Sequence, residues 1–235
     1  TLVVANMIGT GVFTTSGFLL ADLRSPWLVL LAWLIGGVLA ACGALSYGAL
    51  ARRLPESGGE YLFLSRTIHP TAGVMAGWIS ILVGFAAPMA AAAIAFGEYL
   101  RDGFPGISPQ WLGSALLCAL ALIHALRMEG GNRLHNVTVG VEVVLIVVFV
   151  VLALSRLPAE AVLQTVPNGG SPAAFAVGLL WVSFSYYGWN AAVYVAGEVR
   201  DPERTLPRAL LLGTALVTLL YLALNAAFVF AAPWQ

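Results

Sequence analysis

A chain of 235 residues that is 60% hydrophobic, 9% charged and of zero net charge is neither a disordered chain nor an ordinary soluble domain. Zero net charge also gives no long-range field for nucleic acid, and no aromatic-plus-basic patch stands ready to bind one. The composition leaves an all-α polytopic membrane protein, with the lipid bilayer as its principal partner.

The elements follow in order. The first apolar run, Thr1–Leu20, holds the break Ile8-Gly-Thr-Gly11 inside an otherwise lipid-soluble helix. Pro26–Leu50 carries no charge and exceeds the roughly 20 residues that cross a bilayer. Leu54-Pro-Glu-Ser-Gly-Gly-Glu60 is a tight loop built on a helix-stopping proline and two glycines. Thr71–Leu100 is charge-free until Glu98, and Gly103–Pro109 turns the chain into Gln110–Leu126. Val137–Leu154 carries the single charge Glu142. A longer loop, Leu157–Pro172, leads to Pro172–Gly197, which contains the second break, Phe184-Ser-Tyr-Tyr-Gly-Trp-Asn190. The elbow Asp201-Pro-Glu-Arg-Thr-Leu-Pro207 then opens Pro207–Ala232, giving seven crossings. Thr1 is not a start methionine and both chain ends fall inside spans, so the sequence reads as a fragment; no signal-peptide pattern is visible.

Arginine counting sets the expected orientation. With a cytoplasmic start, Arg52, Arg53, Arg66, Arg127, Arg133, Arg200, Arg204 and Arg208 fall inside, and only Arg24, Arg101 and Arg156 fall outside. There is no lysine. Cys42 and Cys118 lie within spans, where a thiol acts as a small apolar group; the expectation is structural packing, with no disulfide-linked partner. His69, His124 and His135 sit at or near span ends, and no Cys/His/carboxylate cluster has metal spacing. No metal and no cofactor are expected.

Two interrupted spans at matching places in successive halves point to a transporter binding site. Glycine lets the chain leave helical geometry without a clash. The freed N–H and C=O groups must then face protein, a cavity or a ligand. Unwinding at Ile8–Gly11 aims N–H groups and the positive dipole end of the outer half-helix at the gap, which suits a carboxylate. Carbonyls of Phe184–Gly188 suit an ammonium, so the pair suits a zwitterionic α-amino acid. Close helix packing is the competing reading of Gly9 and Gly11.

These residues resemble the amino acid–polyamine–organocation transporters, which share the leucine-transporter-type inverted-repeat fold. Ile8–Phe13 resembles the first-span motif of that family. Ala44–Tyr47, Arg53–Tyr61 and Gly77-Trp78 resemble its second span, first cytoplasmic loop and third span. Phe184–Asn190 with Gly197–Pro207 is similar to its sixth span and elbow. The Tyr-Gly-Trp-Asn run is most similar to L-type amino acid transporters and their bacterial relatives.

The resemblance implies spans 1–7 of about 12, with spans 1 and 6 discontinuous. Residues 1–157 would form the first five-span repeat and 158–235 the start of its inverted copy. It implies a bacterial inner (plasma) membrane setting and no enzymatic activity. Ile8, Gly9, Thr10 and Gly11 would hold the substrate carboxylate. Phe184, Ser185, Tyr187, Gly188 and Asn190 would form the facing wall, with Phe184 as an aromatic gate; its competing reading is a packing aromatic. Three positions depart from the family pattern. Ala49 stands where many relatives have glutamate. Asn190 stands where arginine/agmatine exchangers have glutamate, which favours neutral substrates. Glu142 stands where many relatives carry lysine.

An ionisable group within a span is a functional hypothesis by default. Glu142 is accordingly a candidate for proton or cation coupling, against a plain reading in which it reaches interfacial water or pairs with Arg133. Glu198, Asp201, Glu203 and Arg204 read as a salt-bridge and capping cluster, either a cytoplasmic gate or a solvated turn. The expected function is secondary transport of neutral amino acids, by proton symport or exchange with a counter-substrate. A membrane amino-acid sensor that keeps the pocket without transport is the alternative.

Overall fold

A computed structural model describes residues 1–126, 131–157 and 170–231. Every regular element among them is helical. Most of the expected loop Leu157–Pro172, and Arg127, therefore lie outside the described residues. Two compact units emerge: Thr1–Gly59 with Val139–Gln235, and Glu60–Thr138.

In the first unit, span 1 comprises α1 (Leu2–Met7) and α2 (Thr10–Leu23). Span 2 is α3 (Pro26–Arg53), started by Ser25, whose hydroxyl accepts from the Leu28 N–H at 3.4 Å, and by Pro26 in the first turn. Arg52 and Arg53 complement the dipole at its last turn. Ser25→Ala should lower thermal stability by about 1 kcal/mol, read by heat denaturation in detergent micelles.

The buried face of α3 repeats small residues at helical spacing: Ala32, Gly36, Ala40, Ala44, Gly48 and Ala51. Hydrocarbon offers no hydrophobic drive between helices, so close backbone approach supplies the packing. Gly36 meets Val182 and Tyr186, Gly37 meets Thr218, and Gly48 meets Pro207. These contacts lay α3 on α9 (Pro172–Tyr186) and α10 (Pro202–Ala231). Trp33, Tyr186 and Tyr221 form a buried aromatic cluster, with ring centroids 5.1 to 5.6 Å apart. The final portion of α8 (Gly131–Ser155) completes this unit, with Val139, Ile146 and Val150 buried.

The second unit contains α4 (Gly59–Thr67), α5 (Pro70–Ile79), α6 (Ala87–Leu100) and α7 (Pro109–Leu126). Gly97 and Gly113 let α6 and α7 approach until a methyl group at either would strike the backbone of Pro109 or Ala93. Span 3 is continuous from Pro70 to Leu100, but Ser80–Ala86 is a π-helical segment. Pro88 explains it: the residue has no N–H to donate, and its ring would press on the carbonyl four residues earlier.

Among the described residues, four helices are long and apolar enough to cross a membrane: Pro26–Arg53, Pro70–Leu100, His135–Ser155 and Pro202–Ala231. Spans 1 and 6 miss that length because each is broken into shorter helices. One expectation is corrected. Cys42 and Cys118 are exposed rather than packed, as a small thiol on a helix face allows.

Candidate functional site

Both expected breaks are present, each in a specific conformation. Ile8 is extended (φ −74°, ψ 117°) as α1 stops, its N–H closing on the Val4 carbonyl. Gly9 is also extended (φ −155°, ψ −173°), and α2 restarts at Thr10 with no side-chain cap. The N–H groups of Thr10, Gly11 and Val12 consequently have no acceptor within their own helix. The second break is at Tyr187-Gly188, because Phe184 and Ser185 still belong to the last turn of α9. Tyr187 is extended and Gly188 takes φ +116°, a left-handed conformation suited to glycine. Beyond it the chain continues as a 3₁₀ helix, Trp189–Glu198, rather than an α-helix.

The two breaks touch. Gly188 lies directly against the Asn6 carbonyl and the Met7 nitrogen, and Gly11 lies against Ser185. Thr15 Oγ1 and Ser185 Oγ are hydrogen-bonded at 3.0 Å. Tyr221 of α10, fully buried, ties both breaks together. Its hydroxyl donates to the Met7 carbonyl at 2.6 Å and lies 3.2 Å from the Ser185 carbonyl. The Gly9 N–H faces the same oxygen. One turn beyond, Asn225 is buried and hydrogen-bonded to Ser16, anchoring α2, the second half of span 1, to α10.

Among the residues singled out from sequence, Ile8, Ser185, Gly188 and Asn190 are buried, Thr10 and Gly11 are half-buried, and Gly9 is exposed. Phe184 is 68% exposed and Tyr187 37%, so neither ring is locked in the core. The Phe184 carbonyl accepts from the Tyr187 N–H at 3.1 Å, which leaves one of its two lone pairs. The resulting arrangement offers open N–H groups from the start of α2 beside carbonyls at the end of α9, with opposite dipole ends converging.

Glu142 is half-buried and lies on the inward face of α8, in line with Val139, Ile146 and Val150. The Arg133 side chain, its expected alternative partner, lies outside the described residues.

The elbow between spans 6 and 7 is held by main-chain contacts. Ser57 Oγ accepts from the Gly197 N–H at 2.9 Å, and Arg52 Nε donates to the Glu203 carbonyl at 3.3 Å. The Asp201 carbonyl accepts from the N–H groups of Arg204 and Thr205. Among the described residues, Glu198, Asp201, Glu203 and Arg204 form no ion pair with one another. The caps of the expected salt-bridge and capping cluster are thus present without its ion pairs, as suits charges that water solvates well. His69 caps α5 through Nδ1, and no metal-binding group occurs among the described residues.

Sequence reasoning missed Tyr221 and Asn225. A signal existed: Thr214, Thr218, Tyr221 and Asn225 recur at intervals of four, three and four on an otherwise apolar helix. A polar stripe on one face of a span faces protein, not lipid.

Comparison with known proteins agrees with this geometry. The family described as "Amino acid permease" matches residues 1–235. The b(0,+)-type amino acid transporter 1 of Mus musculus is 28% identical over 97% of this chain and 49% of its own length. The large neutral amino acids transporter small subunit 2 of Rattus norvegicus is 30% identical over 97% of this chain and 45% of its own length. The chain therefore spans about half the length of these curated relatives. With two facing helix breaks, an apolar helical body and a family match along its whole length, the chain belongs to the amino acid permease family.

Proposed function

We propose that this chain forms the substrate-binding part of a secondary transporter that moves neutral α-amino acids by alternating access. The observation that carries the reading is the contact between the breaks: unpaired N–H groups at the start of α2 beside carbonyls at the end of α9. A carboxylate fits the first set and an ammonium the second, so the common head of any α-amino acid is bound by main chain. The side chain is left to select among substrates. Asn190, buried beside the second break, supplies no negative charge for a cationic side chain. A cation left unpaired in such a site costs several kcal/mol. Phe184 serves as the gate, and its exposed ring is free to swing over bound substrate.

The names of the relatives support amino acids as the substrate class. Twelve spans in inverted repeats, with 1–157 as the first repeat and 158–235 opening the second, complete the reading. The excess of arginine in one set of loops favours a cytoplasmic N-terminal side, and the resemblance favours a bacterial inner membrane. Competition of labelled leucine uptake into proteoliposomes by serine, leucine and arginine tests it. Leucine or serine should compete at least about tenfold more strongly than arginine, a difference of roughly 1.4 kcal/mol. Equal competition by arginine would remove the neutral-substrate reading. Saturable binding without uptake or exchange would favour the sensor.

A further inference from the structure

We infer that the groove bounded by α1, the 3₁₀ helix Trp189–Glu198 and α10 takes one acyl chain of an anionic phospholipid, whose phosphate is held by Arg204 and Arg208. The groove lies apart from the contact between the breaks, and lipid binding there does not depend on the transport reading above.

All of its walls belong to one compact unit. Val4 of α1, Val195 of the 3₁₀ helix, and Ala209, Leu212 and Leu216 of α10 line it, with Thr205 at its elbow end. A methyl group at Gly213 would strike Val3, so α1 and α10 cross at close range along the groove. Leu212 and Leu216 stay exposed beside that crossing. From Thr205 to Leu216 the groove follows α10 for ~16 Å, at about 1.5 Å per residue. That is about half of the roughly 30 Å hydrocarbon core, the depth of one leaflet. The groove has a volume of about 400 Å³. Spread over ~16 Å this leaves a section of roughly 25 Å², whereas a helix even about 10 Å across needs roughly 80 Å². A membrane helix is too wide to enter, but a single polymethylene chain, roughly 4–5 Å across, fits.

Charge marks the elbow end. Counted from Leu212, Arg208 lies about 40° and Arg204 about 80° round α10, so both border the open side of the groove. Both are exposed, as is Arg200, and none of the three forms an ion pair with a described residue. The elbow also carries Glu198, Asp201 and Glu203. Glu203 lies about 180° from Leu212, on the opposite side of the helix, where its carbonyl accepts from Arg52. Glu198 and Asp201 precede α10. An apolar slot one leaflet deep with guanidinium groups at its rim suits an acidic lipid, because their forked donors match phosphate oxygens. The walls also give the lipid a role. α1 and the 3₁₀ helix are the halves of spans 1 and 6 that meet the breaks, and an acyl chain in the groove packs on both. Occupancy therefore favours the arrangement in which they lie together against α10.

The test uses the purified protein in nanodiscs of phosphatidylcholine with increasing phosphatidylglycerol, traced by phosphatidylglycerol bearing a photoreactive acyl chain. Labelling should saturate, map to Val195, Leu212 and Leu216, and weaken as salt rises. Arg204→Gln combined with Arg208→Gln should raise the half-saturating lipid fraction about tenfold or more. Ala209→Phe, which fills the slot, should remove labelling there. Arg24→Gln, at the far end of α2, should change neither. Heat denaturation shows that each variant is folded, and phosphatidylglycerol should raise the midpoint only where the groove is intact. Equal labelling by a phosphatidylcholine probe of the same chain would overturn the acidic headgroup. Labelling spread evenly over exposed helix faces, or a groove left unlabelled because another part of the protein covers it, would overturn the site. Leucine uptake into liposomes should rise with phosphatidylglycerol in the wild type and not in the double arginine variant; an equal rise in both would overturn the lipid's role. Saturable labelling of the groove with no leucine flux in any lipid would support the site and remove the transport reading alone.

Discussion

Alanine at Gly188 should abolish leucine binding and lower stability by about 2–4 kcal/mol. The left-handed φ of +116° strains any L side chain, and the new methyl group would collide with the Asn6 carbonyl and the Met7 nitrogen. Neither atom can retreat cheaply, because both belong to the end of α1, which is pinned by the Tyr221 hydrogen bond to Met7. Gly9→Ala is the informative contrast. Gly9 is extended, a conformation any residue adopts, and a methyl group there meets nothing within 4 Å. Its stability should change by less than about 0.5 kcal/mol, while the methyl intrudes on the space assigned to the substrate carboxylate and weakens binding. Heat denaturation and labelled-leucine binding, measured on the same preparations, separate the two effects. Equal loss of stability in both variants would contradict the close crossing at Gly188.

Removing one hydroxyl, in Tyr221→Phe, should have the second large effect. The ring and its contacts with Trp33 and Tyr186 remain, so the packing of α3 on α10 is preserved. What is lost is the donor shared by Met7 and Ser185, and two break carbonyls are left without it. Leaving buried acceptors unpaired costs about 1–3 kcal/mol, which corresponds to a roughly ten- to hundredfold loss of leucine affinity if it falls on the aligned state. Thr218→Val, on the same face but bonded to Tyr186 and to the Thr214 carbonyl of its own helix rather than to either break carbonyl, should change affinity far less. Equal affinity loss in both variants would mean that α10 acts through general packing and not through the Tyr221 bridge.

In the proposed transport cycle, the Tyr221 bridge would give alternating access a physical handle. Span 1 and span 6 are each two short helices, so each offers a hinge where main-chain hydrogen bonds have already been given up. The second half of span 1, α2, is fixed to α10 through Ser16–Asn225 and to α9 through Thr15–Ser185. The second half of span 6, the 3₁₀ helix, is held to the loop before α4 by the Gly197–Ser57 hydrogen bond. A substrate bound as proposed between the breaks would contact both, and would favour whichever arrangement aligns its donors and acceptors.

Much of this protein was legible from sequence because the relevant signals are local. Long apolar runs without charge specify membrane helices whatever their neighbours, since hydrocarbon leaves the backbone no other way to satisfy its hydrogen bonds. The glycines of Ile8–Gly11 and the Tyr187-Gly188 pair likewise marked where helices stop, because the freedom to leave helical geometry belongs to the residue itself. Tertiary structure decided the rest. It moved the second break past Phe184 and Ser185, made the second half of span 6 a 3₁₀ helix, left Cys42 and Cys118 exposed, and kept the elbow's expected caps without its salt bridges. It also brought Tyr221 to residues more than 200 positions earlier. Which polar groups meet across a bundle depends on the rotation and depth of each packed helix, and small-residue contacts between helices set those quantities; no single stretch of sequence does.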